Sequence, residues 1–581
     1  MTQKIALGLA AVLCCAHIVR AAPTIRSVTV SGNASLPSAE VLSWTSSRPG
    51  DLLSDASLES DRRVIEQAYR DLGFLAPKVT SQVLAMTPDS SLVDLGWTIE
   101  EGRRTVVGRM AIVGSEELSP DELIAEFETS PGTPLVSAML EGDIARVLGR
   151  YEELGYPFAR CSVRSLSVRR GTEIDSVDVR LGLQQGRRVT IDEIRVEGTE
   201  ETDPQVVVRE TRIQPGEVYD PDRVEAIRDR LNRLNIFSEV AEPELYVRGE
   251  QGGLLIRVRE GPTNTFDGIL GYVPETTTGV EGYVTGLVSI GMRNLFGTGR
   301  KLGLRWYRED RYSQELMVRY TEPWVFSLPL NLGGGFFQRQ QDSAFVRRVL
   351  DVRGELLASD RLTLGTSFES TNTIPSADSS VQRVRRSSSI ALGVSLGYDS
   401  RDDLYAPQGG VYLWTDYHYA RKSSLAGRNG PEQRSSQQRI STDVEFYMEP
   451  FGRQVVALGA HLRQVTGGDL EESDFFRLGG AQSLRGYREN QFLGSVVMWA
   501  NNEYRLGLAR RTFVFAFFDA GYYSRPADES SGVSGNAEFL YGYGVGIRLT
   551  TGIGMLGLSV ALGKNDTFAR AKVHVGLINE F

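Results

Sequence analysis

The region from about residue 264 to the C-terminus constrains the fold most, because apolar and polar residues alternate there in one short segment after another. A period of two places successive side chains on opposite faces of a strand. Short turns such as NLFGTGR and EPFGR connect the predicted strands at one end, and long polar loops such as ARKSSLAGRNGPEQRSSQ connect them at the other. This asymmetry is typical of an outer-membrane β-barrel, which must close because hydrocarbon leaves no partner for unpaired amides. The sequence predicts 16 antiparallel transmembrane strands, an even number that returns the C-terminus to the periplasmic side.

The first part of the chain repeats itself three times. Each copy opens with a strand that ends at a glycine, and the copies are 82 to 84 residues apart, as read from Gly32, Gly114 and Gly198. A helix with apolar residues at i, i+3, i+4 and i+7 follows, and two alternating segments close each copy. Each copy is therefore predicted to be a small α+β domain of order β-α-α-β-β. The predicted organisation is a leader, three repeats and the barrel, at 1–21, 22–103, 104–187, 188–262 and 263–581.

The N-terminal segment and the net charge narrow the class of protein. Lys4 precedes the apolar run from Ile5 to Cys15, which is too short to span a membrane, so residues 1–21 are predicted to be a secretory signal peptide. A lipoprotein signal around Cys14 is a weaker alternative, because the residues before it match a lipobox poorly. The net charge of −10 gives no support for nucleic-acid binding.

Motifs that could carry enzymatic chemistry do not have the context that such chemistry needs. Gly393–Gly397 spells G-x-S-x-G, but it lies inside an alternating segment with no helix after it, so Ser395 is predicted to be a strand residue. His418, His461 and His574 are far apart and lack metal-ligand spacing. The sequence therefore predicts no enzyme, no cofactor and no metal site.

A Gly-rich stretch, GGAQSLRGYREN at 479–490, lies in the sixth long loop, between predicted barrel strands 11 and 12. Its motif Leu484-Arg485-Gly486-Tyr487 resembles the [VL]-R-G-[FY] motif of the BamA/TamA superfamily of outer-membrane assembly factors, and the three repeats resemble its TamA-like members. The resemblance implies that the loop folds back into the lumen. It also implies that the arginine contacts acidic and aromatic side chains on the barrel wall.

Residues that match the family's receptors for this arginine follow in the next two strands. MWANNEYRLGL contains Glu503, and FVFAFFDAG contains Phe517 and Asp519 on one face of its strand. A guanidinium can pair with a carboxylate in fork geometry and stack on a ring. The alternative is an extracellular loop with a solvated arginine.

Two further motifs resemble the family. Asp399, Arg401 and Asp402 match its Y-D-x-R-D turn between two mid-barrel strands, where a purely structural role is the simpler interpretation. Phe581 ends the chain on the lipid side of the last predicted strand and resembles the C-terminal signal that barrel insertion machinery reads. An ordinary barrel strand that ends in Phe is the alternative there.

The resemblance implies a function for each part of the chain. The repeats resemble POTRA domains, in which a sheet edge and a neighbouring helix groove take up an extended polypeptide, although a spacer role remains the alternative. The whole protein is expected in the outer membrane, where it assists insertion or translocation of β-barrel or autotransporter proteins. The implied partners are outer-membrane lipid, unfolded outer-membrane clients and a TamB-like periplasm-spanning protein.

The family also implies a barrel seam that opens towards lipid. Gly268 and Gly271 in the first strand and Gly576 in the last are compatible with weak pairing at that seam. A two-partner-type pore that exports a soluble protein through the lumen is the alternative function. A passive porin is hard to reconcile with three repeats and a loop that fills the lumen.

Overall fold

The computed structural model describes residues 22–172, 174–273, 282–341, 344–375, 384–425, 430–509, 511–527, 534–551 and 554–578. The predicted signal peptide and Phe581 therefore lie outside the described residues. The chain forms two compact units, Met1–Thr190 with Val218–Pro221, and Ile191–Glu217 with Asp222–Phe581. No helix within these described ranges is both long and apolar enough to span a membrane.

The first two repeats have the predicted β-α-α-β-β order, and each packs two helices on a three-stranded sheet. The sheet orders are β1-β3-β2 and β4-β6-β5, with a parallel pair at β1/β3 and at β4/β6. The elements of the first repeat are β1 (Thr24–Ser31), α1 (Ser38–Trp44), α2 (Asp55–Asp71), β2 (Lys78–Met86) and β3 (Leu92–Glu100). Those of the second are β4 (Arg104–Val113), α3 (Pro120–Ala125), α4 (Ser137–Glu153), β5 (Arg160–Arg169) and β6 (Ile174–Gln184).

The amphipathic helix of each repeat supplies most of the helical side of its core. In α2, Ile65 and Tyr69 are fully buried against Trp97 of the central strand. In α4, Val147 and Tyr151 occupy the corresponding places. These are i, i+4 pairs on one helix face, which is the pattern that the sequence predicts.

A buried aspartate in each of these helices closes the preceding loop. Asp61 accepts hydrogen bonds from the backbone N–H groups of Ser46 (2.7 Å) and Ser47 (3.0 Å). Asp143 accepts from the N–H groups of Glu128 (2.9 Å) and Thr129 (3.0 Å). Burial opposes ionisation of both carboxylates, but the hydrogen bonds outweigh it and lower the pKa of each. The same device therefore recurs in two repeats.

The third repeat departs from the predicted order because the second of its three predicted strands, counted along the chain, is divided into two short strands. Pro243 stands between the two halves and has no N–H for the ladder. Both halves pair with the last strand of the repeat, and the sheet order is β10-β11-β7-β8 with β9 attached to β11. The elements are β7 (Thr190–Glu197), α5 (Pro204–Thr211), β8 (Glu217–Val218), α6 (Pro221–Arg233), β9 (Phe237–Val240), β10 (Glu244–Arg248) and β11 (Gln251–Glu260).

The third repeat contacts the short turns of the barrel directly. The N–H of Asp203 donates to the carbonyl of Gly297 (2.8 Å), and the indole of Trp324 donates to the carboxylate of Glu210 (2.7 Å). Glu210 is buried, and burial raises its pKa against the opposing effect of the Trp324 bond. These contacts place the third repeat at the end of the barrel that has the short turns.

The remainder forms one 16-stranded antiparallel sheet, with the number of strands predicted for the barrel, and the first and last strands are the two ends of its strand order. Every strand pairs with its sequence neighbours, except that a small hairpin, β23 with β24, lies in the loop between β22 and β25. The strands are β12 (Asn264–Val273), β13 (Tyr283–Leu295), β14 (Arg300–Arg308), β15 (Gln314–Glu322), β16 (Leu330–Gln341), β17 (Phe345–Leu357), β18 (Leu362–Pro375), β19 (Ser387–Asp399), β20 (Gly410–Leu425), β21 (Glu432–Phe451), β22 (Gln454–Gly467), β23 (Phe476–Leu478), β24 (Phe492–Gly494), β25 (Val496–Ala509), β26 (Thr512–Arg525), β27 (Asn536–Thr551), β28 (Gly554–Gly563) and β29 (Lys572–Ile578). Single-turn 3₁₀ helices lie at Val325–Ser327, Glu472–Asp474 and Phe568–Arg570.

Strand β19 shows how the barrel sorts its two faces. Ile390, Leu392 and Val394 are each more than half exposed, whereas the alternate positions Ser389 and Ala391 are buried. An apolar row that faces outward is what a lipid-spanning strand requires. Ser395 lies within this strand, as predicted.

Candidate functional site

The loop between β22 and β25 closes on itself before it meets the barrel wall. The N–H of Asn490 donates to the carbonyl of Gly479 (3.1 Å), and the N–H of Gly480 donates to the carbonyl of Leu484 (3.1 Å). The β23–β24 hairpin flanks this segment on both sides. The loop tip, defined here as Gly479–Asn490, is therefore a compact structure held by its own backbone.

Arg485 projects from the loop tip onto the barrel wall and is buried there. Its Nε and Nη2 donate to the two carboxylate oxygens of Asp519, each at 2.7 Å, and its own backbone N–H adds a third bond at 3.1 Å. Nη1 donates to Glu503 Oε1 at 2.6 Å. The guanidinium also lies 3.7 Å from the ring centroid of Phe517. All four sequence-selected residues thus meet at one point.

Pairing of β25 with β26 explains why these receptors come together. Glu503 is opposite Phe517, and Asn501 is opposite Asp519, so the alternating positions share one face of the wall. Glu503, Phe517 and Asp519 are buried, and Asp519 is 0% exposed. Asn501 donates from its side chain to the carbonyl of Ser483 (2.8 Å), which adds a further contact with the tip.

Two further arginines surround Glu503. Arg505 donates from Nε to Glu503 Oε2 at 2.8 Å, and Arg548 Nη2 lies 3.6 Å from Oε1. Both guanidiniums also lie over the ring of Phe513, at 4.9 and 5.4 Å from its centroid. Arg505 is two residues from Glu503 on the same strand face, so its sequence position already pointed to the site. Arg548 is brought in by β27, opposite Phe513, and no local pattern marks it.

The other three residues of the motif seat the tip. Leu484 is fully buried in an apolar cluster with Leu478, Val497, Tyr523 and Leu540. Gly486 has φ +94°, and a Cβ there would lie 2.7 Å from backbone atoms of Leu562 and Gly563, so only glycine fits. Tyr487 is buried, and its hydroxyl donates to the carbonyl of Tyr541 and accepts from the N–H of Lys564, each at 3.0 Å.

The stem of the same loop makes a second ionic contact that the sequence did not suggest. Lys422 of β20 is 3% exposed and donates to the carboxylate of Asp474 (2.6 Å) and the carbonyl of Asp469 (3.0 Å). Arg385 bonds Glu471 through Nε at 2.8 Å. These residues come from three separate segments, so only the barrel brings them together.

The turn with Asp399, Arg401 and Asp402 lies at the other end of the barrel. Arg401 donates to both carboxylate oxygens of Asp399 (3.0 and 2.8 Å) and lies 4.3 Å from the ring centroid of Tyr412. Asp402 accepts from the N–H groups of Gln408 (2.9 Å) and two other residues of the turn. The structure thus places these three residues within one turn, well separated in the chain from the loop tip.

Within the part of the chain that the structure describes, no group of three or more His, Cys, Asp or Glu side chains could hold a metal ion. The charged cluster at the loop tip instead consists of carboxylates that already have arginine partners. Such an arrangement holds polypeptide segments together.

Comparisons with known proteins agree with this architecture. A family model described as the Omp85 superfamily domain matches residues 294–577, and one described as a surface antigen variable number repeat, or POTRA, matches 23–102, 105–186 and 189–261. Repeats, barrel and matched models together define an outer-membrane barrel with periplasmic POTRA repeats. The chain belongs to the Omp85 superfamily.

Individual relatives are distant and longer. The chain is 23% identical to the outer membrane protein assembly factor BamA of Neisseria meningitidis over 50% of its own length and 36% of that protein. It is 24% identical to the BamA of Nitratidesulfovibrio vulgaris over 55% of its length and 40% of that protein. Each match thus spans less than half of the relative.

The crystal structure of BamA from Haemophilus ducreyi lacking POTRA domains 1-3 is also similar. It is 17% identical in sequence, with a TM-score of 0.48, and the match covers 81% of this chain and 98% of that one.

Proposed function

We propose that the chain is an outer-membrane assembly factor that assists insertion or translocation of β-barrel or autotransporter proteins. The observation that carries the proposal is the loop tip, which Arg485 fixes to the inner face of β25 and β26. Because the anchored loop lies in the lumen, we expect a client to pass between the two end strands, β12 and β29, and not through the pore.

The proposed role of the POTRA repeats is to receive unfolded clients. β2 and β5 are edge strands of their sheets, and both expose apolar side chains. Leu84 and Met86 on β2 are 56% and 51% exposed, and Leu166 and Val168 on β5 are 52% and 57% exposed. Addition of a client strand to such an edge supplies main-chain hydrogen bonds without demanding one sequence. The same exposed residues support client binding over a purely spacing role.

The lateral route is tested by cross-linking the two end strands. In a background where Cys161 is replaced by serine, cysteine pairs are placed along Phe266–Tyr272 of β12 and Val573–Val575 of β29. Formation of the disulfide should abolish client insertion into proteoliposomes, and reduction should restore it. The matched control joins Ile290→Cys with Leu304→Cys, which face each other across β13 and β14.

Client insertion at the wild-type rate with the end strands verified as cross-linked would exclude the lateral route. Conductance through planar bilayers separates the second candidate, a two-partner-type secretion pore. Such a pore should export its client irrespective of the β12–β29 disulfide, and its conductance should fall while the client occupies the lumen.

We also propose that the chain is TamA-like and has a periplasm-spanning partner. The three repeats and the 16-stranded barrel match the expectation for that subgroup, which implies a TamB-like periplasm-spanning protein. Affinity purification from detergent-solubilised outer membranes, followed by mass spectrometry, tests this partner. Recovery of periplasmic chaperones and client barrels without such a protein would argue for an assembly factor of another subgroup.

A further inference from the structure

The last strand receives a hydrogen bond from the loop tip in addition to those of its ladder. β29 pairs with β28 at seven positions, from Ala561 opposite Lys572 to Met555 opposite Ile578. The backbone N–H of Gly486 donates to Nε2 of His574 at 3.2 Å. The loop thus contacts the C-terminal strand of the barrel through an imidazole.

The geometry of the tip fixes the direction of this bond. Gly486 lies so close to Leu562 and Gly563 of β28 that a Cβ would collide with their backbone. Its N–H is therefore held towards the next strand along, where His574 lies. A backbone N–H can only donate, so Nε2 accepts and the imidazole carries its proton on Nδ1.

The neighbouring residues show that His574 is turned to the same side as the tip. Val573 and Val575 are 62% and 55% exposed on the outward face, whereas His574 is half-buried. Arg485 of the tip, Asp519 of β26 and Lys572 of β29 interact electrostatically with its ring. Ser559 is the residue directly opposite on β28. The imidazole thus lies next to the ion pair that anchors the loop.

The tip also bonds the two strands before β29. The hydroxyl of Tyr487 bonds the carbonyl of Tyr541 in β27 and the N–H of Lys564 at the end of β28. Consecutive residues 486 and 487 therefore contact three consecutive strands. The preceding residue, Arg485, bonds β25 and β26 through its own side chain. Residues 485–487 of the loop therefore contact five consecutive strands.

We propose that His574 is a positioning residue that fastens the last strand to the anchored loop tip, so that the Arg485 anchor and the pairing of β29 are energetically coupled. Freeing β29 breaks the bond to Gly486, and releasing Arg485 removes the support for that bond. The coupling deepens the proposed function, because it makes the loop a control element for an end strand. It can nevertheless be measured without any client.

Hydrogen exchange of the β29 amides in the full-length protein in nanodiscs is the measurement. His574→Phe keeps a ring but removes the acceptor, and exchange across Lys572–Ile578 should become about threefold to tenfold faster, as expected for one lost hydrogen bond. His574→Gln keeps a side-chain carbonyl that can accept, so it should restore slow exchange. His461→Phe, at a histidine of β22 that bonds Asp443 instead of the tip, is the matched control.

The coupling itself is read from the double variant. Arg485→Ala alone should accelerate exchange in β29, and adding His574→Phe should accelerate it no further, because both changes remove the same support. Additive effects, or unchanged β29 exchange in His574→Phe, would overturn the proposal. If Arg485→Ala does not fold, the Phe and Gln variants at 574 still decide it, since only a hydrogen-bond role predicts that Gln restores slow exchange.

The outcome is separable from that of the proposed function. Coupled exchange together with client insertion through a cross-linked β12–β29 pair would leave the His574 link standing and refute lateral assembly. Client insertion that requires free end strands, with β29 exchange indifferent to residue 574, would do the reverse.

Discussion

The first two POTRA repeats and the barrel lumen bury charge in different ways. In the repeats, Asp61 and Asp143 each accept two backbone N–H groups from a loop about 15 residues earlier in the chain. In the lumen, Arg485 pairs with Glu503 and Asp519, which lie on strands 18 and 34 residues further along. The repeats thus use a buried carboxylate to fix a local loop, whereas the lumen uses buried ion pairs to join distant segments.

The two arrangements predict different losses of stability when one charged side chain is removed. A carboxylate capped by backbone amides supports one turn of one domain, so its loss is confined to that domain. A buried ion pair leaves an uncompensated charge when one partner is removed, which costs more than the net worth of the pair. We therefore expect the lumen to be the more sensitive of the two regions.

The third repeat supplies an informative exception. Arg230 on α6 is buried and donates to the carbonyls of Glu210 (2.9 Å) and Thr211 (2.6 Å) at the end of α5. A cation here caps carbonyl groups, where the other repeats use an anion to cap N–H groups. The repeat that contacts the barrel thus uses a guanidinium cap, and an arginine ordinarily stays charged at all physiological pH values.

The largest effect is expected for Arg485→Ala. Asp519 loses its bidentate partner while fully buried, which should lower the free energy of unfolding by about 3–5 kcal/mol. Client insertion should also be lost. Heat-modifiable mobility and urea unfolding measure the stability, and proteoliposome assays measure the activity. Arg488→Ala, at an exposed arginine in the same loop, should behave as wild type, and equal losses in both variants would contradict an anchor role.

Arg485→Lys should come next, at about 2–4 kcal/mol, because charged hydrogen bonds are lost although the charge remains. A lysine cannot make the planar fork with both oxygens of Asp519 or stack flat on Phe517. Unfolding in urea should therefore lie between wild type and Arg485→Ala. A lysine variant that is as stable as wild type would show that charge alone, without the fork, holds the loop.

Asp143→Asn tests the other side of the comparison. An amide N–H₂ would face the backbone N–H of Glu128 or Thr129, so a smaller loss of about 1–3 kcal/mol is expected. Hydrogen exchange should accelerate within β4–β6 and α3–α4 while the barrel strands remain as in wild type. Acceleration that spreads to the barrel would show that the carboxylate cap is not a local device.

Acid should produce the smallest and most gradual effect. Because the pKa values of Asp61 and Asp143 are lowered in the folded state, their contribution to stability is present above the unfolded-state pKa, about 3.9, and is lost as pH falls through the folded-state pKa. Protection of the amides in the first two repeats, relative to their intrinsic exchange at each pH, should fall below about pH 4. The Asp61→Asn and Asp143→Asn double variant should show a flatter profile, and an unchanged profile would exclude the two carboxylates as the cause.

Periodicity alone predicted the strands and helices because each rests on a local pattern. The i, i+4 pair Ile65 and Tyr69 marks the buried face of α2, and the alternation around Ile390 and Leu392 marks β19. Nothing local predicted the break of the middle strand in the third repeat, although Pro243 is a visible reason once the ladder is known. The pairing of both short strands with the last strand of that repeat defines the break.

The candidate site divides in the same manner. Arg485, Glu503, Phe517 and Asp519 were found by resemblance, and the alternation within their strands gave them a common face. Arg548, Lys422 and the bond from Gly486 to His574 depend on which strands become neighbours, and that information is not written in any short segment. Charged residues that meet only through barrel pairing therefore escape a reading of the sequence.

The position of Gly486 against β28 also imposes an order on biogenesis. The loop tip contacts Tyr541, Leu562, Gly563 and His574, all of which lie further along the chain. The tip can take its final place only when the last three strands have arrived, so the loop locks last. A chain truncated before β27 would carry its arginine with no seat for the two residues that follow it.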